Sequence, residues 1–206
     1  MCVLQGDRMH NYAYLMETVA DFGQAWKTIG TDLQYMVKDR VLFLQPTSSN
    51  HDWKKNFQFI QVPYKCGSKT LWVHKGFLDV YLEGRELFLK LLQDGVVDIV
   101  CGFSHGSALA TILYWEYFMR HGIKIPTVVF GSPRVCNTIS AIVYRKVFDE
   151  LINLQMGADI VSSVPPVIFF YMHVGIIVGI ETGYLIPLPR YHRPEVYLDH
   201  INILLT

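Results

Sequence analysis

The chain has 206 residues with a formal net charge of zero, 51% hydrophobic and only 17% charged. That length supports one domain with a sizeable core, and that composition excludes a disordered chain. Without a basic field, nucleic acid and anionic membranes are not expected partners. The opening Met1–His10 has no basic stretch leading into an apolar one, so neither a cleaved signal nor a secreted route is expected, and the default is cytoplasmic. Cys2, Cys66, Cys101 and Cys136 show no CxxC pairing, so reduced thiols and no zinc site are expected.

In chain order, apolar residues at helical spacing (Tyr14, Leu15, Val19, Phe22, Trp26) predict a helix over 12–26, with Gly30 as its stop. Residues 35–37 and 41–44 read as strands paired across Lys38-Asp39-Arg40. The polar stretch 47–56 holds a possible short helix around Asp52 and Trp53, a strand follows over 70–74, and 77–92 has helical periodicity. Residues 96–100 form a β-branched strand, 108–120 a helix, 124–130 a strand and 139–148 a helix. Strands are expected again at 150–155 and within 169–180. The most apolar window, 164–180, carries two prolines, a histidine and two glycines, and reads as buried strand rather than as a membrane span. No repeat or linker interrupts the chain, so residues 1–206 are read as one domain. Alternating strands and helices with near-continuous apolar strands indicate an α/β fold. Its sheet should be mainly parallel and flanked by helices on both faces.

Gly102-Phe103-Ser104-His105-Gly106 stands between the strand 96–100 and the helix that follows. A strand running into Gly-x-Ser-x-Gly and then a helix is the setting of a nucleophile elbow. There the serine takes a strained backbone conformation, and its hydroxyl sits at a helix N-terminus that favours developing negative charge. A serine hydroxyl needs a histidine as base, and the histidine needs an acid to orient it. In chain order the acid comes next and the histidine last. Of the later acids, Glu116 lies within the elbow helix, too close in sequence to reach across the site. Asp149 and Glu150 fall at a helix-to-strand join. Asp159 follows a strand at its C-terminal end, where ligand chemistry gathers in open parallel sheets. Asp199 reads as a cap of the last helix. Among the histidines, His173 lies in an apolar strand and reads as a core residue. His192, between Tyr191 and Arg193, reads as a surface-loop residue, and His200 precedes the apolar tail. The order Ser104, Asp159, His200 is what the mechanism predicts. The His105 backbone N–H is the expected first oxyanion donor. Thr47, after Gln45-Pro46, offers a second through its N–H or hydroxyl, although an ordinary strand-to-loop turn explains this stretch as well.

From about Val41 to Ile203 these segments resemble, in order, the class 3 lipases, which are the fungal triacylglycerol lipases and their bacterial relatives. Thr47 with Asp52-Trp53 is similar to that family's oxyanion loop and lid start. Residues 73–79 are similar to the segment leading into the helix before the elbow. Gly102–Gly106 stands at the elbow, and Phe130-Gly-Ser-Pro-Arg134 is similar to a Gly-x-Pro-Arg turn. Residues 159–166, with His173-Val-Gly175 after them, are similar to the acid loop, and Leu198-Asp199-His200 to the segment holding the catalytic histidine.

The resemblance implies an α/β-hydrolase fold and a serine carboxylic-ester hydrolase acting on acylglycerol or other fatty-acyl esters. It implies Ser104, Asp159 and His200 as the triad, Thr47 and His105 as oxyanion donors, and no metal or organic cofactor. It further implies a lid-like segment around 47–61, with transient contact with lipid surfaces. Three departures bear on substrate range: Gln45-Pro46 where the family has Arg-Gly, Phe103 for the histidine before the serine, and Ser107 for the last glycine. Two alternatives remain open, a lipase-like binding or signalling domain without turnover and an acyltransferase with the same triad.

Overall fold

A computed structural model describes residues 3–21, 26–30, 33–46, 59–183 and 186–205. The chain opens with helix α1 (Val3–Ala20), which starts earlier and ends sooner than its apolar spacing predicts. Strands β1 (Lys27–Ile29), β2 (Leu33–Lys38) and β3 (Val41–Pro46) follow as an antiparallel meander. Asp39 and Arg40 both take positive φ, 50° and 63°, in a two-residue turn whose twist suits a hairpin.

After β4 (Gln61–Cys66) and β5 (Lys69–His74) comes α2 (Lys75–Gln93), capped by His74, whose Nδ1 accepts from the Gly76 N–H. Then come β6 (Ile99–Phe103), α3 (His105–His121), β7 (Thr127–Phe130), β8 (Cys136–Asn137) and α4 (Thr138–Val143). The chain closes with β9 (Leu151–Met156), β10 (Tyr171–Met172), β11 (Ile176–Ile180) and α5 (Pro194–Ile203).

Seven strands form the central sheet in the order β1-β2-β3-β6-β7-β9-β11, parallel from β3 onward. Its strands divide their side chains between two cores. Leu42, Leu44, Val100 and Val129 face α2 and α3. Val41, Phe43, Cys101, Phe130 and Leu154 face Leu15, Met16 and Val19 of α1 and Tyr197 and Ile201 of α5. Helices therefore cover both faces, and strands buried on both sides read as continuous apolar runs. This is the α/β-hydrolase arrangement the resemblance implied.

Strands β10-β8-β5-β4 form a second, antiparallel sheet that sequence analysis did not separate from the first. Its edge strand β4 carries Pro63, which cannot donate to a ladder and suits an edge. The elbow strand begins at Ile99 rather than Val96, because the N–H groups of Val96 and Val97 turn back onto the Leu91 carbonyl at the end of α2.

Glu116 lies buried on α3, tied to Arg85 (2.6 Å), Arg120 (2.7 Å) and the hydroxyls of Tyr64 and Tyr81. It locks α2, α3 and β4 together. Burial alone would raise its carboxyl, but the hydrogen bonds from both arginines and both tyrosines outweigh that and hold it below the ordinary carboxylate value. It stands 12 residues beyond Ser104, roughly 18 Å along the helix, and takes no part in the serine site. Asp199 falls inside α5 rather than at its start, so it is not a cap. No helix among the described residues is long and apolar enough to cross a membrane.

Candidate active site

The turn from β6 to α3 places Ser104 at φ 57° and ψ −124°, with no side-chain exposure. An L-residue adopts such a conformation at a cost of about 1–3 kcal/mol, so the surroundings must enforce it. They do so through close backbone packing. A Cβ on Gly106 would lie 2.1 Å from the Leu44 carbonyl oxygen, and one on Gly102 would lie 2.7 Å from the Gly106 carbonyl oxygen. Glycine at both positions lets α3 start directly against β3 and β6. The Ser104 N–H donates to the Phe130 carbonyl at 3.0 Å. Ser107, where the family has glycine, is also buried, and its hydroxyl lies 2.9 Å from the Gly102 carbonyl and 2.8 Å from that of Phe130. This substitution adds a staple between the helix and two strands.

Asp159 is fully buried three residues beyond the C-terminal end of β9, where sequence analysis expected it. The histidine does not fall where expected. His200 sits on α5, its Nδ1 bonded within the helix to the Val196 carbonyl at 2.8 Å. His192 takes the place between serine and acid, with Nε2 2.6 Å from Ser104 Oγ and Nδ1 2.7 Å from Asp159 Oδ2. The assignment of His200 is thus corrected to His192. The physical reason is long-range: the Leu188 N–H donates to the Ala158 carbonyl at 3.0 Å, and Leu188 forms a parallel bridge with Asp159. That rung carries the following residues, ending in His192, across the end of the sheet to the acid.

The proton positions follow from the partners. Asp159 receives three hydrogen bonds, from His192 Nδ1, from the Tyr197 hydroxyl (2.7 Å) and from the Val161 N–H on Oδ1 (2.8 Å). A carboxylate accepts only, so Nδ1 carries a proton toward Asp159, and Nε2 is the ring nitrogen turned to the Ser104 hydroxyl. Burial, and then the Asp159 charge, push the Tyr197 phenol well above its ordinary value, so it stays a donor. Gly131, at φ 55°, lies beneath the pair; a Cβ there would approach Asp159 Oδ2 at 3.0 Å and His192 Cε1 at 3.1 Å.

His105 is the first residue of α3, so its backbone N–H is at the helix end suited to an anionic oxygen. Thr47, the second expected donor, lies outside the described residues, as does the lid-like segment up to residue 58. His173 has a structural role. Its Nε2 donates to the Ser162 carbonyl at 2.8 Å and its Nδ1 accepts from Gln155 at 2.9 Å, which holds the loop after Asp159. The two site residues that sequence analysis missed are His192 and Tyr197. No local signal in the sequence marks either of them.

Comparison with known proteins places the chain among lipases. The family described as Lipase (class 3) matches residues 41–169. A lipase of Rhizomucor miehei is 28% identical over 175 residues, covering 74% of this chain and 46% of that protein. A secreted mono- and diacylglycerol lipase 1 of Fusarium solani is 27% identical over 146 residues, covering 66% of this chain and 42% of that protein. The chain thus spans less than half the length of these curated relatives. The solved structure of lipase II from Rhizopus niveus superposes with a TM-score of 0.67 at 20% identity, covering 88% of this chain and 82% of that one. With the family model matched from residue 41 to residue 169, well over half of its length, the chain belongs to the class 3 lipase family.

Proposed function

We propose that the chain is a serine carboxylic-ester hydrolase that cleaves acylglycerols or other fatty-acyl esters through an acyl-enzyme. The observation that carries this reading is the hydrogen-bonded run from Ser104 through His192 to Asp159 at a strained strand-to-helix turn. In this mechanism His192 Nε2 takes the Ser104 proton as Oγ attacks the ester carbonyl. Asp159 holds the ring and offsets the charge of the imidazolium. The His105 N–H donates to the tetrahedral oxyanion, and Thr47 is assigned the second donor's place. A lost oxyanion donor typically lowers turnover about 100- to 1,000-fold. His192 then returns the proton to the leaving alcohol, and water releases the acid by the same route.

A fatty-acyl substrate is favoured by the chain that leaves the acid. Beyond Asp159 it runs into Val167, Ile168 and Phe170, which are 59%, 78% and 72% exposed. Exposed apolar residues grouped this way suit an apolar ligand. The relatives' names point the same way, to lipases and to a mono- and diacylglycerol lipase.

The test is hydrolysis of a p-nitrophenyl ester series from acetate to palmitate, with Ser104→Ala as control. Turnover that requires Ser104 supports the hydrolase, and the chain-length optimum identifies the acyl preference. A folded protein inactive on the whole series refutes it and favours a lipase-like binding domain.

A further inference from the structure

Two aromatic side chains grip the imidazole–carboxylate pair. Phe103, directly before Ser104, lies face to face with the His192 ring, centroids 4.9 Å apart and planes 20° apart. Tyr197 donates its hydroxyl to Asp159 Oδ2, the same oxygen that receives His192 Nδ1–H, and its ring meets Phe103 at 5.9 Å and 82°. Phe103 is 5% exposed, and Tyr197 and Asp159 are fully buried, so water does not compete for these contacts.

We infer that Phe103 and Tyr197 are positioning residues that set the orientation and basicity of His192, and that they pull its basicity in opposite directions. This rests on the reading of His192 as the general base. The face of a phenyl ring is negative and attracts a stacked cation, so Phe103 favours the imidazolium over the neutral imidazole. Tyr197 acts through the acid. Its O–H draws charge from Asp159 Oδ2 and so weakens the pull of the carboxylate on the imidazolium. The Met156 N–H, 3.3 Å from the Tyr197 oxygen, occupies an acceptor site and leaves the hydroxyl proton for Asp159. Phe103 also fixes the ring plane, which keeps Nε2 aimed at Ser104 while Nδ1 stays on Asp159. The bulk that replaces the family's usual histidine before the nucleophile is thus turned to His192 rather than to the entering ester.

The experiment compares wild type, Tyr197→Phe and Phe103→Leu as full chains. The His192 ring is titrated by NMR with ¹⁵N-labelled histidine, its signals assigned by their loss in His192→Ala. In parallel, kcat/KM is followed against pH on p-nitrophenyl butyrate. Tyr197→Phe is expected to raise the His192 midpoint, and with it the acid limb of the profile, by about half a pH unit. Phe103→Leu is expected to lower both by a similar amount. Each variant should lose about ten-fold in kcat with KM changed less than about two-fold. Folded variants with unchanged midpoints, or with shifts of the same sign, overturn the inference. Tyr197→Phe removes one oxygen and keeps the ring, so it decides the matter alone if Phe103→Leu fails to fold. If the wild type turns over no ester, the proposed function fails, while the NMR titration still judges the positioning role.

Discussion

Replacing each of two histidines separates the observed geometry from the sequence-based expectation. His192 bridges Ser104 and Asp159 through contacts of 2.6 and 2.7 Å, whereas His200 Nδ1 lies 2.8 Å from a carbonyl of its own helix. His192→Ala removes the base and takes one of three donors from a fully buried carboxylate. Loss of the base in such a triad lowers kcat by about 10³- to 10⁶-fold. His200→Ala gives up the side-chain bond to the Val196 carbonyl, and such a bond is worth a net of about 0.5–1.5 kcal/mol. In a chain of this length that lowers Tm by about 1–6 °C, and kcat should change less than about three-fold. The assay is p-nitrophenyl butyrate hydrolysis, with circular dichroism melts on the same samples. An inactive, folded His200→Ala beside an active His192→Ala would refute the reasoning and restore the order Ser104, Asp159, His200.

Two further predictions concern stability. Gly106→Ala puts a methyl 2.1 Å from the Leu44 carbonyl oxygen, a backbone atom that cannot swing aside, so a loss above about 3 kcal/mol is expected, read as a lower urea midpoint or as insoluble expression. His173 is held down to about 4, first by burial and also by the Arg134 charge, against an ordinary 6.5. Its folded value lies below its unfolded one, so the unfolded chain takes up the proton first. The neutral ring costs no stability above pH 6.5, and stability falls between about pH 6.5 and pH 4, by up to roughly 3 kcal/mol. His173→Gln should flatten Tm over that window, and an unchanged slope would contradict the assignment.

Much of this molecule is legible in its sequence because the determining interactions are local. The elbow needs glycine at 102 for a reason that acts within five residues, the approach of the Gly106 carbonyl, and glycine at 106 is legible through the motif although the atom it makes room for, the Leu44 oxygen, is distant in sequence. The hairpin at Asp39-Arg40 and helices α2 and α3 follow from short-range pattern. The place of Asp159 at the end of the sheet is legible because it comes three residues after a recognisable strand.

His192 was not found, because nothing nearby marks it. It sits among arginines and a tyrosine in a loop, and only the pairing of Leu188 with Ala158, thirty residues upstream, brings it to the acid. His200 sits next to an aspartate in a segment that resembled the family's, but it has no such tether. The second sheet was missed for a related reason. Its strands β8 and β10 are two residues long and exist only through pairing with distant partners.

The Leu188 rung also bears on how this protein can vary. Asp159 and His192 are separated by 32 residues of chain, yet one backbone bond re-registers the second against the first four positions before it. Drift accumulated upstream, in β11 or in the turns around it, is cancelled at that bond. Insertions or deletions between 181 and 187 can therefore be absorbed without moving His192. The three residues between Leu188 and His192 cannot change in number. The site stays accurate in a fold whose outer loops are free to diverge.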